Sequence, residues 1–165
     1  MKLFGFDVCV HFLISGNNIL AYSWHYTEER SLKHLEKIKK YHSLHGEILK
    51  SEKLESWLDR KLREVLLEGK RFKIPPFEYK NSKVYYELTK IPKGKTLTYS
   101  ELARKSKTKY HEMLVTLLRN PFQVLIPCHR LLTNKGGLMG FYPLGKDVKR
   151  RLLEIEGIEL PNTTR

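Results

Sequence analysis

The run Ile74-Pro75-Pro76 limits the possible folds of this 165-residue chain more than any other stretch. Each proline lacks a backbone N–H and fixes its own φ, so two in succession continue neither a helix nor a sheet ladder. The first of them also biases Ile74 toward an extended conformation. A chain of this length can bury one large core or two small ones. The break therefore predicts a unit over residues 1–74 and a second over residues 77–165.

Before the break, Val8, Val10, Phe12 and Ile14 alternate with Cys9, His11 and Leu13, which is the period of a strand. Ser15-Gly16-Asn17-Asn18 has turn chemistry, and residues 19–24 read as the return strand of a hairpin. A short amphipathic helix is expected over 31–38. A longer one starts near Ser51, with Leu54, Trp57, Leu58, Val65 and Leu66 on one face and Gly69 just past its end. This half reads as a small α/β unit, a sheet with flanking helices. Cys9, His11 and His25 are its candidate metal ligands. No CxxC or HxxxH spacing accompanies them, and a closed zinc site takes four ligands. They are read as a buried cysteine and two ordinary histidines, with no metal.

After the break, Asn81 or Ser82 is placed to cap a helix running to Lys90, which Ile91-Pro92-Lys93-Gly94 stops. Residues 96–99 are short and β-like, and Ser100 is the expected cap of a helix over 101–104. A basic break at 105–109 leads into a second helix, Tyr110 to Leu118. Two short helices about a polar turn fit a helix-turn-helix, although such pairs are common in helical proteins. Lys105, Lys107, Lys109 and Arg119 flank the second helix, where they would hold phosphates. Asn120-Pro121 ends that helix. Val124-Leu125-Ile126 reads as a short buried strand terminated by Pro127, so Cys128 and His129 are delivered at the end of a buried element. Residues 133–137 form a turn, 138–142 return toward Cys128, and a final helix over 146–155 ends at Glu156-Gly157.

The net charge of +13 favours a polyanionic partner and salt-sensitive binding. A solvated Lys/Glu surface of the hyperthermophile kind is the alternative source of such a charge. Two cysteines give no disulfide framework, no apolar run is long enough to span a bilayer, and the first residues lack the regions of a signal peptide. A cytoplasmic location is the expectation. A free thiol titrates near pH ~8.5, so Cys128 needs a base or a positive field before it can act as a nucleophile. On extended backbone His129 would face the opposite side, so direct proton transfer requires a sharp turn, or else a water between the two groups.

The segment Asn120-Pro121-Phe122-Gln123-Val124-Leu125-Ile126-Pro127-Cys128-His129-Arg130-Leu131-Leu132 closely resembles the active-site signature of the O6-alkylguanine-DNA alkyltransferases, single-use repair proteins. The likeness runs from Ile91-Pro92 to Gly157, while the N-terminal half carries almost none of it. The resemblance implies a mainly helical C-terminal domain with a winged helix-turn-helix. It also implies double-stranded DNA carrying O6-alkylguanine as partner, no cofactor and a monomer.

Carried onto this chain, it implies a relay from Glu156 through His129 and a water to Cys128, with Asn120 tying the helix pair to the active segment. Tyr99 becomes the hydrogen-bond donor to the leaving guanine, Tyr142 a wall of the base pocket and Lys149 the support of that loop. His111, Arg119, Lys107, Lys109 and Arg130 make up the implied DNA-binding set. The product, a thioether, resists thiol exchange, so each molecule would act once.

Two departures from the family stand out. His111 occupies the position of the arginine that fills the gap left by a flipped base, in a stretch two residues shorter than the family's. Either His111, Tyr110 or Lys109 takes its place, or the helix enters at another angle. Pro143, after the pocket tyrosine, has no N–H to offer guanine. The competing readings are a lesion-binding relative without chemistry, although such relatives lack the cysteine, and a regulator that uses the helix-turn-helix alone.

Overall fold

The computed structural model describes residues 1–138, 144–158 and 160. A minimal hairpin, β1 (Lys2–Leu3) with β2 (Phe6–Asp7), precedes the main one. There β3 (Cys9–Ser15) and β4 (Asn18–His25) pair antiparallel, with Val10 opposite Trp24 and Phe12 opposite Tyr22. The large apolar residues thus share one buried face of the sheet. The helix expected at 31–38 is longer at both ends: α1 runs Glu28–Tyr41. Thr27 caps it, and Glu28 and Glu29 at its start and Lys39 and Lys40 at its end suit the helix dipole.

A third strand, β5 (Glu47–Leu49), pairs with the free side of β3 to give the order β4-β3-β5. Three residues are too few to show a period, so this strand was invisible in the sequence. Gly46 makes its approach possible, since a Cβ there would lie 2.5 Å from the Ile14 carbonyl oxygen. Helix α2 (Glu52–Leu66) starts at the Ser51 cap and turns Leu58, Leu62, Val65 and Leu66 inward.

Beyond the prolines, α3 (Ser82–Thr89) begins after Asn81, which makes no capping bond. The Asn81 amide donates instead to Thr116 Oγ1 at 3.0 Å and to Tyr41 OH at 3.3 Å, a tertiary use of a residue expected to act locally. The short strand β6 (Leu97–Thr98) pairs in parallel with β7 (Leu131–Leu132). Helix α4 (Tyr99–Ser106) is capped by Thr98, not Ser100. Thr98 and Glu101 form a reciprocal capping box, with bonds of 3.0 and 3.1 Å. The helix therefore starts two residues before Glu101, and Tyr99 falls in its first turn. Lys107 turns the chain in the left-handed region before α5 (Tyr110–Leu118), and α6 covers Lys146–Ile155.

Val124-Leu125-Ile126 is buried as expected but is not a strand. Val124 has φ 74°, a costly value for a β-branched residue, and Ile126 N–H turns back to Phe122 O at 2.8 Å. Phe122 N–H is held by Asn120, so the segment advances by tight turns rather than a ladder. The apolar core crosses the proline break without interruption, and Ile74 is part of it. At the junction sits Phe122, with ring centroids 5.8 Å from Tyr22, 5.1 Å from Phe72 and 6.0 Å from Tyr79. Among the described residues, no helix is long and apolar enough to cross a membrane.

Candidate active site

Cys128, His129 and Arg130 form a single 3₁₀ turn just before β7. The turn is closed by Arg130 N–H to Pro127 O at 3.0 Å and preceded by Cys128 N–H to Ile126 O at 2.7 Å. Extended backbone would have sent successive side chains to opposite faces; the turn instead lets three neighbours reach three different partners. Cys128 is buried, with 8% of its surface exposed.

Asn120 grips this turn from the end of α5. Its Nδ2 donates to Ile126 O at 2.9 Å and to the Cys128 sulfur at 3.4 Å, while its Oδ1 accepts from Phe122 N–H at 2.9 Å. Both donors and the carbonyl oxygen of one buried amide are thus engaged on the approach to the thiol. Burial pushes the Cys128 thiol up, against the Asn120 bond and the charge of Lys149, which favour the thiolate.

His129 is fully buried, with Nε2 3.2 Å from Glu156 Oε1. A carboxylate only accepts, so Nε2 carries the proton and Nδ1 holds the lone pair. That lone pair is buried without a protein partner among the described residues. Burial lowers the imidazole below its usual value and outweighs the opposing pull of Glu156. The ring is neutral and oriented, which is what a general base requires.

Arg130, expected at the DNA surface, is not there. It is buried, with Nε 3.0 Å from both carboxylate oxygens of Glu156, Nη2 on the same carboxylate and Nη1 donating to Ile91 O at 2.6 Å. A bidentate pair of this kind ties the 3₁₀ turn to the end of α6. Burial alone would raise the Glu156 carboxyl, but the bonds from His129 and Arg130 hold it below the ordinary range. Glu156 therefore holds an imidazole and a guanidinium together.

Tyr99 and Lys149 also meet. Lys149, 1% exposed, donates from Nζ to Tyr99 OH at 2.8 Å. Burial brings its amine down to about 8, partly offset by Cys128. The phenol accepts from the lysine, so its own proton remains to be donated elsewhere. Burial raises Tyr99 well above the usual phenol value, which keeps that proton in place. Tyr142 and Pro143 lie outside the described residues.

The expected DNA contacts divide. Lys107, Lys109, Tyr110 and His111 are exposed around the start of α5. Arg119 is half-buried at the other end, its carbonyl accepting from His42 Nε2 at 2.9 Å and Tyr85 OH at 3.1 Å. His42 was not singled out in the sequence. Tyr22 was missed too: its N–H donates to Pro121 O at 2.9 Å and its hydroxyl to Gln123 O, so the edge strand β4 clamps the active segment. Buried hydroxyls must find partners, but sequence offers no sign of which carbonyl they find.

Residues 80–158 match the family model described as 6-O-methylguanine DNA methyltransferase, DNA binding domain. A methylated-DNA–protein-cysteine methyltransferase of Thermococcus kodakarensis is 38% identical over 99 residues, 59% of this chain and 52% of that protein. One from Saccharolobus islandicus is 40% identical over 78 residues, 47% of this chain and 50% of that protein. The chain spans about half the length of the curated relatives it matches. In three dimensions, the crystal structure of the O6-methylguanine-DNA methyltransferase from Pyrococcus kodakaraensis KOD1 aligns over 92% of both chains, with TM-score 0.65 and 25% identity. The structural likeness thus extends into the N-terminal half, where the sequence carried almost no family signal.

Proposed function

We propose that this chain, whose residues 80–158 match the 6-O-methylguanine DNA methyltransferase DNA-binding domain, repairs DNA by moving an alkyl group from guanine O6 irreversibly onto Cys128. The observation that carries this reading is the Glu156–His129 pair at 3.2 Å, one residue from a thiol held by Asn120. Residues 77–165 are the DNA-binding and transfer unit, with α4 and α5 as a winged helix-turn-helix, and residues 1–74 support it. The two free thiols suit a reducing, cytoplasmic setting.

The partner is duplex DNA, bound by one copy of the chain. Exposed Lys107, Lys109 and His111 support phosphate contact at the start of α5. A stacked base hides its O6 substituent from a buried sulfur, so the nucleotide must swing out.

His129 Nδ1 takes the thiol proton through a water. The sulfur–carbon bond forms as the carbon–O6 bond breaks, and the electron pair leaves on guanine. Tyr99, with its proton uncommitted and Lys149 behind its oxygen, donates to the guanine as that charge develops. Lys149 thereby acts through Tyr99, and its charge also steadies the thiolate.

The test is the intact mass of the protein after incubation with O6-methylguanine duplex. We expect a gain of one methyl group on Cys128, and none in Cys128→Ala; an unchanged wild-type mass with competent substrate overturns the reading. The pH profile gives a second prediction. Because burial depresses His129, its imidazole stays neutral to below the usual 6.5, so the acid limb of the single-turnover rate lies below pH 6.5. An acid limb centred above 6.5 would remove His129 as the titrating base.

A further inference from the structure

A cleft of about 810 Å³, bordered by Phe122 and not lined by Cys128, opens between α2, the tip of the β3–β4 hairpin and residues 70–77. This volume is in the range of small-molecule sites, and no part of the reaction above uses it. Three half-buried aromatic rings line it, from Trp57, Phe72 and Phe77. Lys61, Lys70, Arg71 and Lys73 stand round them, with Glu64 as the single carboxylate among the lining residues.

These cations differ in what they are free to do. Lys61 is 3.2 Å from Glu64 and Lys70 is 3.5 Å from Glu68. Arg71 fixes its Nε on Thr89 Oγ1 at 3.1 Å, which leaves both terminal nitrogens for a ligand. Lys73 is exposed and makes no hydrogen bond or ion pair among the described residues. Asn17 and Asn18, at the mouth, add amide donors and acceptors of the kind that read a base edge.

We propose that this cleft is a second nucleic-acid site, which takes an unpaired nucleotide: its base lies against Trp57, Phe72 and Phe77, and its phosphate sits on Arg71 and Lys73. Rings partly sunk in a cleft stack an unpaired base but exclude a duplex, whose bases are already stacked on each other. Aromatic faces interleaved with cations are the pattern by which proteins hold single strands without reading their sequence. The surplus of positive charge matches a phosphate backbone. A plain polyanion would use the cations and gain nothing from the rings. The site stands apart from transfer at Cys128, so a Cys128→Ala chain binds there equally well.

Trp57 supplies the readout, because Trp24, the other tryptophan, is fully buried. Pentathymidylate and free dTMP are each titrated against the full chain while tryptophan emission is followed. The expected result is saturable quenching that disappears in Trp57→Phe and weakens about tenfold or more in Lys73→Glu, with transfer from duplex DNA to Cys128 unchanged in both variants. Quenching by pentathymidylate alone identifies a strand as the source of the nucleotide; equal quenching by dTMP identifies free nucleotides. The proposal is overturned by an absence of quenching, by quenching that survives in Trp57→Phe or is unaffected by Lys73→Glu, or by equal quenching with polyglutamate or heparin, which have no bases.

Discussion

A His129→Ala chain should transfer alkyl groups about 10²- to 10⁴-fold more slowly than the parent, the usual contribution of a positioned general base. Its fold should persist. The substitution removes one of two partners of Glu156, and the other, Arg130, keeps the carboxylate paired through both oxygens. The Cys128 sulfur also keeps its bond from Asn120. The loss should therefore fall on the rate of the chemical step, with DNA affinity little changed. Single-turnover kinetics on O6-methylguanine duplex, with binding measured separately, would check it. A parent-like rate in His129→Ala would show that the thiol loses its proton by another route.

Removing Glu156 should cost stability as well as rate. Glu156→Leu leaves the Arg130 guanidinium buried with no counter-charge, and breaking such a pair from one side costs about 3–5 kcal/mol. In a domain of this size that corresponds to a fall of roughly 6–20 °C in Tm. Adding Arg130→Met removes the stranded charge and should restore about half of the loss or more, because a buried pair replaced by apolar side chains is often near neutral. Recovery stays incomplete because the Ile91 carbonyl loses its donor.

The double variant should remain as slow in transfer as His129→Ala, since the imidazole has lost the group that orients it. Urea unfolding of the single and double variants separates these roles. A stable Glu156→Leu protein would mean that the pair adds nothing to the fold.

The pH dependence of stability carries the same information. The Glu156 carboxyl is held below its unfolded value of 4.5, so its contribution is complete above that value. It is lost as pH falls through the lower, folded value. The double variant should lack this part of the acid transition.

Much of the site was legible from local chemistry. Asn120-Pro121, Pro127 and the lone thiol beside an imidazole pointed to residues 120–129 as the centre. The limits of α5 and α6 followed from an apolar period and flanking breakers. Errors arose where the expected local rule met a stronger competing partner, near or distant in the chain. Asn81 gave up its cap to reach Tyr41 and Thr116, and Thr98 captured the start of α4 because Glu101 could complete a capping box with it. The apolar run before Pro127 looked like a strand because burial and strand propensity use the same residues. Asn120 and the Val124 turn bend it instead.

Arg130 marks the boundary between the two kinds of information. The sequence establishes that a cation follows His129, that a carboxylate ends α6, and that the chain breaks at Pro75-Pro76. Composition and period are properties of the chain itself, so they survive without a fold. Whether that cation meets phosphate or carboxylate is decided only when the 3₁₀ turn and the end of α6 are brought together across 26 residues. The same holds for the edge of β4, whose Tyr22 reaches Gln123 across 101 residues. Such pairings depend on which groups burial leaves without water, and that is settled by packing rather than by sequence order.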